Sequence, residues 1–299
     1  MMNEKNAATR TKSNARAISK IVIGSETSDG AGVRLHRYIA SPELDMLDPF
    51  LLMDVFRSDN AEDYIAGFPA HPHRGFETVT YLLHGNMRHK DSAGHEGVIK
   101  AGGVQWMTAG RGIEHSEMPE QDKGLLYGFQ LWVNLPATDK MIPPRYQEFA
   151  AGDIPVEQRE QGVKVRVISG TTVTGTHGAV KDIAASPLYL DVTLAAGKYY
   201  IEQVAPDFQA FIYVIEGAID ILSEKGTDSL QAETLGVFAE GDMIELSSKT
   251  GGRFLLVAGR PFNEPVARYG PFVMNTQAQI TQAIDDYRSG QFGQYVNEK

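Results

Sequence analysis

The sequence predicts an all-β protein made of two β-rich halves and one short C-terminal helix. Short runs in which apolar and polar residues alternate recur along the 299-residue chain, and 30 glycines separate them. This pattern is typical of many short strands joined by tight turns. One strand pattern occurs twice, as FETVTYLLHG at 76–85 and as FQAFIYVIEG at 208–217. The length and this repeat favour two domains of similar architecture.

The N-terminal segment differs from the rest of the chain. Residues 1–19 are polar and contain neither the apolar core of a secretory signal nor a clear amphipathic pattern. We expect a disordered tail there, rather than a transit peptide, and a cytoplasmic protein. Ile21 and Ile23, then Val33 and Leu35, alternate with polar residues on either side of a Gly-containing turn. They predict the first strands.

The centre and the end of the chain carry two further signals. The segment 134–160 contains four prolines and few periodic apolar residues, which is the composition of a linker. Strand patterns resume at Val163. Near the C-terminus, Thr276 and Gln279 have the spacing of a capping box, and apolar residues follow at helical spacing. These signals predict an amphipathic helix at about 277–289 that packs its apolar face on a β-domain.

Charge and composition exclude several functional classes. A net charge of −10 and a pI near 5.3 argue against a general nucleic-acid binder, whose surface would be basic. The chain has no cysteine, which excludes disulfides, thiolate metal sites and cysteine nucleophiles. No apolar run approaches the roughly 18 residues that a membrane-spanning helix needs. We therefore expect neither direct nucleic-acid binding nor a membrane partner.

The stretch from His71 to Glu117 carries the candidate chemistry. His71 and His73 are two residues apart at its start, and His115 and Glu117 are two residues apart at its end. Residues i and i+2 of a β-strand point to the same face, so each pair would present two side chains to one interior. Three imidazoles and one carboxylate suit a divalent first-row transition metal. Iron is the first candidate, and nickel, copper, manganese and zinc are the alternatives.

Several long segments resemble the pirin family of the cupin superfamily. They are FPAHPHRGFETVTYLLHG, GGVQWMTAGRGIEHSEMP, YGFQLWVNLP with PPRYQE after it, and GRPFNEPVARYGPFVMNT. The resemblance covers most of the chain from about residue 20 onward. It implies a bicupin, which consists of two tandem cupin-type β-barrels. It also implies one metal in the N-terminal barrel, with His71, His73, His115 and Glu117 as ligands.

The resemblance and the repeat together predict the domain organisation. The parts are a disordered N-terminal tail at 1–19, an N-terminal metal-binding cupin barrel at 20–140, a linker at 141–160, and a C-terminal cupin-like barrel with the helix at 161–299. Aligned on the repeated strand, His71 and His73 fall on Gln203 and Ala205; aligned on Gly103 and Gly241, His115 and Glu117 fall on Arg253 and Leu255. Since the second copy lacks these ligands, we expect one metal per chain.

Two glutamates compete for the fourth ligand position. Glu77 has the same parity as the two histidines of the first motif and corresponds to the fourth ligand of many cupins. The pirin resemblance assigns that position to Glu117 instead. We favour Glu117, because its spacing from His115 mirrors the spacing of the first pair. Glu77 would then orient a ligand or an exogenous molecule.

The pirin resemblance implies a quercetin 2,3-dioxygenase-like activity. Such an enzyme cleaves the heterocyclic ring of a flavonol with dioxygen and releases carbon monoxide. A carboxylate could take the proton of the flavonol hydroxyl, with Glu117 as the first choice and Glu77 as the second. The alternative is a non-enzymatic, metal-containing regulator or redox sensor that binds a protein partner, such as a transcription factor or a metabolic enzyme.

Overall fold

The computed structural model describes residues 14–160 and 162–293. Its first strands are β1 (Ile18–Ile23), β2 (Ser25–Asp29), β3 (Val33–Ile39), β4 (Phe50–Ser58), β5 (Phe68–His73), β6 (Phe76–His84), β7 (Asn86–Asp91), β8 (Glu96–Lys100), β9 (Val104–Thr108), β10 (Ile113–Pro119), β11 (Leu126–Asn134) and β12 (Arg145–Phe149). The others are β13 (Val156–Glu160), β14 (Val163–Ser169), β15 (Leu188–Leu194), β16 (Lys198–Gln203), β17 (Gln209–Ser223), β18 (Gly226–Gln231), β19 (Thr234–Phe238), β20 (Met243–Ser248), β21 (Gly252–Gly259), β22 (Ala267–Tyr269) and β23 (Phe272–Met274). They are followed by helix α1 (Gln277–Arg288).

The two halves of the molecule have matching strand orders. In the N-terminal half, seven strands lie in the order β12-β9-β6-β11-β4-β3-β2. In the C-terminal half, the corresponding path is β1-β19-β17-β21-β15-β14-β13. A smaller set of strands closes each barrel: β5-β10-β7-β8 in the first, and β16 and β20, with β18 and the second half of β17, in the second. The repeat that the sequence shows is therefore a repeat of whole barrels.

The edge strand β1 belongs to the C-terminal barrel, which corrects the predicted start of the N-terminal one. β1 pairs antiparallel with β19, although the sequence analysis assigns residues from 20 onward to the first barrel. Just before it, the buried guanidinium of Arg16 donates hydrogen bonds to the carbonyls of Gly241, Phe208 and Ala205 at 2.8–2.9 Å. The last part of the predicted tail is thus an ordered part of the fold. Residues 1–13 lie outside the described residues.

The segment 141–160, which the sequence predicts as a linker, contains two paired strands. β12 pairs with β9 in the N-terminal sheet, and β13 pairs with β14 in the C-terminal sheet. Both are edge strands, and β12 is only partly buried along its length. An edge strand buries little apolar surface, so its sequence lacks the alternation by which inner strands are recognised.

Helix α1 confirms the predicted capping box. The Thr276 hydroxyl accepts the backbone N–H of Gln279, and the Gln279 side chain accepts the N–H of Thr276. The buried face of the helix packs on the β22–β23 hairpin through Ile280 and Ala283. Asp286 then pairs with Arg74 of the N-terminal barrel at 2.6 Å. Among the described residues, no helix is both long and apolar enough to cross a membrane.

Three clusters of apolar side chains form the interiors of the two barrels and the layer between them. The interior of the C-terminal barrel is filled by buried apolar side chains, among them Leu190, Ile212 and Leu256. A smaller apolar cluster that includes Leu35 and Phe56 fills part of the N-terminal barrel. The third layer lies between the outer faces of the two seven-stranded sheets and joins the barrels. The N-terminal barrel also contains a cavity, which Leu35 and Phe56 line in part.

Candidate metal centre

Two neighbouring strands of the smaller N-terminal sheet carry the predicted ligands. β5 ends at His73 and pairs antiparallel with β10, so that His115 lies directly opposite His71. The register shifts between His115 and Glu117. Irregularities of this kind bend a strand and redirect its side chains, and they are frequent beside functional sites.

The three histidines form a compact cluster. One ring nitrogen of each lies within 4.8 Å of a ring nitrogen of the others. The ring centroids are 4.6 Å apart for His71 and His73, 4.6 Å for His71 and His115, and 5.0 Å for His73 and His115. In the part of the chain that the structure describes, no other group of three potential ligand side chains is this close.

Protonation and hydrogen bonding make this cluster suitable for a metal. Nδ1 of His71 donates to the carbonyl of Pro69 at 2.8 Å, which leaves Nε2 as a lone-pair donor. Burial lowers the pKa of His73 and His115 well below the ordinary value of histidine, so both rings are neutral at pH 7. Nδ1 of His73 and both ring nitrogens of His115 are buried without a hydrogen-bond partner among the described residues. Each such atom costs about 1–3 kcal/mol, and a bound metal would remove part of that cost.

Glu117 lies beside the cluster in a separate hydrogen-bonded position. It is buried, and one carboxylate oxygen accepts the hydroxyl of Thr80 at 2.6 Å. The other oxygen accepts the side-chain amide of Gln130 at 3.3 Å. Within the described residues, Glu117 is not part of the group of ligand atoms within 4.8 Å. Its role as the fourth ligand stays a prediction.

The structure places Glu77 on the face of β6 that packs between the barrels, away from the histidines. A glycine with a left-handed backbone, Gly75 at φ +87°, separates β5 from β6, so parity does not carry from one strand to the next. Glu77 accepts the Thr108 hydroxyl at 2.6 Å, and Val79 of the same strand face packs between the barrels. Burial raises the pKa of Glu77 to about 7.

A cavity of about 680 Å³ opens onto the cluster. Its walls include His71, His73, Glu117 and Trp132, whose ring lies 5.3 Å from that of His73. The hairpin β22–β23 supplies another wall. It packs against the end of β5, where the N–H of Val273 donates to the carbonyl of Arg74. A volume of this order is typical of small-molecule sites.

Sequence reasoning missed a line of polar side chains along the cavity floor. Thr80, Gln130, Asp54 and Arg37 are direct cross-strand neighbours on β6, β11, β4 and β3; we call these four residues the polar row. Arg37 donates to both oxygens of Asp54 at 2.8 and 2.6 Å. Burial raises the pKa of Asp54 to about 6, and Arg37 opposes that rise. The one available signal was a charged residue inside the apolar run FLLMDVF.

Comparison with known proteins places the chain in a family. Residues 32–133 match the pirin family, and residues 189–293 match the pirin C-terminal cupin domain. Together these segments span more than half of the chain. The chain belongs to the pirin family. The predicted resemblance is thereby confirmed, and so is the bicupin fold.

Individual pirin relatives agree over nearly the whole chain. A pirin-like protein of Caulobacter vibrioides is 54% identical over 277 residues, which cover 93% of this chain and 99% of the relative. A candidate quercetin 2,3-dioxygenase of Pseudomonas aeruginosa is 46% identical over 278 residues, covering 92% and 97%. The solved structure of quercetin 2,3-dioxygenase from Acinetobacter baumannii has a TM-score of 0.83 and 34% identity, and the match covers 93% of this chain and 99% of that chain.

Proposed function

We propose that this pirin is a metal-dependent dioxygenase of the quercetin 2,3-dioxygenase type, which cleaves a flavonol-like substrate with dioxygen. One observation carries the proposal. The cluster of His71, His73 and His115 lies on a cavity of about 680 Å³ whose walls are largely apolar. The imidazole nitrogens supply the ligands, and the cavity supplies room for an aromatic substrate. The names of similar proteins support the same reaction.

The ligand set in this proposal is His71, His73, His115 and Glu117, with one divalent metal per chain. Fe(II) is our first choice, and nickel, copper, manganese or zinc could use the same donors. When bound, the metal would act as a Lewis acid and as a relay of electrons between the substrate and dioxygen. The reaction consumes one dioxygen for each flavonol and releases one carbon monoxide, so it needs no external reductant.

The protein's own residues would place the substrate and take its proton. Glu117 lies two residues after His115 on β10 and lines the same cavity as His71 and His73, and the flavonol hydroxyl proton would pass to one of its oxygens. Thr80 and Gln130 hold that carboxylate in place by donating to it from two sides. Trp132 lies next to the His73 ring and would pack against the aromatic body of the substrate.

The test compares metal content and flavonol-dependent oxygen uptake in the wild type and in His115→Ala. We expect about one metal per chain and oxygen uptake with quercetin in the wild type. His115→Ala should lose the metal and reduce uptake by about a hundredfold or more, since it removes a ligand. His84→Ala is the matched control, because His84 is exposed at the end of β6. It should behave like the wild type.

Three results would contradict parts of this proposal. A wild type that holds the metal but consumes no oxygen with any flavonol contradicts the dioxygenase. The alternative of a metal-containing regulator would then be tested by capturing a protein partner with the metal-loaded and the metal-free chain. A stoichiometry near two metals per chain contradicts the single site. Equal metal content in His115→Ala and the wild type contradicts the ligand assignment.

A further inference from the structure

The polar row is not required by the barrel fold. In the C-terminal barrel, the corresponding cross-strand neighbours on β17, β21, β15 and β14 are all buried and apolar: Ile212, Leu256, Leu190 and Val167. A barrel of this topology therefore closes well without polar residues on its floor. Burying the Asp54 carboxylate costs free energy even when it is paired. The row needs a reason other than stability.

We propose that Arg37 and Asp54 select the substrate, by binding phenolic hydroxyls on the part of an aromatic substrate that lies away from the metal. The proposal rests on the proposed function, since it assumes that the chelating oxygens of the substrate lie at the histidine cluster. It narrows the substrate class to polyhydroxylated aromatic compounds. Compounds with the same chelating group but no further hydroxyl would bind without this contact.

Position supports this assignment. Arg37, Asp54 and Gln130 line the same cavity as His71, His73 and Glu117. Thr80, at one end of the row, donates to Glu117. Arg37, at the other end, lies three strand spacings away, which is on the order of 14 Å. A ligand held at the histidines could therefore extend along the row to its far end.

The hydrogen-bonding capacity of the pair fits a phenol. Arg37 uses Nε and Nη2 to bind Asp54, and Nη2 also donates to Asp29 at 2.7 Å. No hydrogen bond links the two Nη1 donors to any described residue, and each Asp54 oxygen retains acceptor capacity. A phenolic hydroxyl can accept from the guanidinium and donate to the carboxylate at the same time. Asp29 and Asp54 together fix the guanidinium, so little ordering is needed on binding.

The wall beside the row fits the body of such a substrate. Leu35 is one position along the inner face of β3 from Arg37, and Phe56 is one position along β4 from Asp54. Trp132 continues the apolar wall towards the histidines. Flat apolar walls with polar groups at both ends recognise an aromatic compound that carries oxygen at both ends.

The test measures binding, so that it does not depend on turnover. The Fe(II)-loaded protein is titrated under nitrogen with quercetin, which has hydroxyls on both outer rings, and with 3-hydroxyflavone, which has only the chelating group. Isothermal titration calorimetry gives the dissociation constants. Arg37→Met should raise the dissociation constant of quercetin about tenfold or more, because one charged hydrogen bond is lost. The dissociation constant of 3-hydroxyflavone should change by less than about twofold.

Two further variants keep the result interpretable. Asp54→Asn preserves the shape of the side chain and removes its charge. It should also weaken the binding of quercetin and not that of 3-hydroxyflavone. It replaces Arg37→Met in the test if that variant does not fold. Arg34→Met is the matched control. Arg34 lies on the same strand but on its exposed face, with a side chain that is 78% exposed. It should leave the affinity for both compounds unchanged.

The outcomes separate this inference from the proposed function. A selective loss of quercetin binding in both cavity variants supports the role of the pair. An equal loss for both compounds, or no loss for either, overturns it, and oxygen uptake by the wild type would still support the dioxygenase. A selective loss in a protein that consumes no oxygen supports the binding role and overturns the dioxygenase.

Discussion

Strands β6 and β17 occupy the same place in the two barrels, and they differ in polarity on the inward face. Their outward residues are alike: Tyr81 of β6 and Tyr213 of β17 both lie in the apolar layer between the barrels. Each tyrosine reaches across that layer, and the Tyr213 ring lies 5.6 Å from Phe129 of the other barrel. The inward residues differ, because Thr80 of the first strand corresponds to Ile212 of the second.

The difference shows how a duplicated barrel divides two tasks. The outward faces are largely apolar in both copies, since they form a shared interface. The inward face of the second copy is packed for stability, and that of the first gives up packing for a cavity and polar groups. On topology, the counterpart of β10 in the second barrel is β20, which carries the buried apolar residues Ile244 and Leu246. The sequence alignment of His115 with Arg253 is therefore wrong, because Arg253 lies on β21, the counterpart of β11.

The shared interface gives the largest expected effect on stability. Asp191 is buried, accepts two hydrogen bonds from Arg253 at 2.9 and 2.7 Å, and accepts the hydroxyl of Tyr81 from the other barrel. Asp191→Ala should lower the free energy of unfolding by about 3–5 kcal/mol, because the guanidinium of Arg253, whose side chain is only 26% exposed, loses its buried partner. Urea unfolding measures this. Asp207→Ala, which removes one partner of an exposed ion pair, should change stability by less than about 0.5 kcal/mol. Equal effects of the two would contradict the role of the interface.

Exchanging the inward residue tests the division of tasks. Ile212→Thr gives β17 the residue that β6 has at this position, and it should cost about 3 kcal/mol, since it removes buried apolar volume and buries a hydroxyl. The same substitution at an exposed position of β1, Ile21→Thr, should cost less than about 1 kcal/mol. Both are measured by urea unfolding at one pH. A small cost for Ile212→Thr would show that the second barrel does not depend on its packed interior.

The sequence predicted the local features of the site and missed those that depend on pairing. The histidines were found because two short motifs place ligand types at strand spacing. Helix α1 was found because its capping box is local. Glu77 has the same parity as the two histidines, but it lies on the other face because the chain turns between strands at Gly75. No pattern in a single sequence marks this change of face. Edge strand β12 was not predicted, because its partner, β9, is distant in sequence and its own residues are partly exposed.

The polar row could not have been found in this way. Its members lie on four strands that are far apart in the chain, and only the register of those strands makes Gln130 a neighbour of both Thr80 and Asp54. Register depends on the whole sheet rather than on any local pattern. A charged residue in an apolar strand was visible, but its partner Arg37 was not.

The buried, outward position of Glu77 predicts that replacing this residue by glutamine stabilises the protein in a pH-dependent way. Its carboxyl has a folded pKa of about 7 against an ordinary value of 4.5, because it is buried. The native state therefore holds this proton more tightly than the unfolded chain, and the corresponding stability, full below pH 4.5, is lost as the pH rises through 7. Glu77→Gln imitates the protonated form, so it should raise the free energy of unfolding by about 3 kcal/mol at pH 8 and by less than about 1 kcal/mol at pH 5.

The same variant also tests on which face Glu77 lies. Metal content and oxygen uptake should equal those of the wild type, because the side chain points away from the histidines. If Glu77→Gln loses metal or oxygen uptake while its fold stays intact, Glu77 does contribute to the site. Glu216→Gln, at an exposed position of β17, is the control and should show the wild-type dependence of stability on pH.

The smallest expected change in stability is at Thr80, where the inward face of β6 meets the candidate metal centre. Thr80→Val keeps the shape of the side chain and removes the hydroxyl that donates to Glu117. The free energy of unfolding should change by less than about 1 kcal/mol, because Gln130 still donates to the carboxylate. Metal affinity should nevertheless fall by about 10–100-fold if Glu117 is a ligand, since a group that orients a ligand has been lost. Competition with a chelator measures that affinity. An unchanged affinity would show that Glu117 is not a metal ligand. The three histidines alone would then be the ligands that the first barrel has and the second lacks.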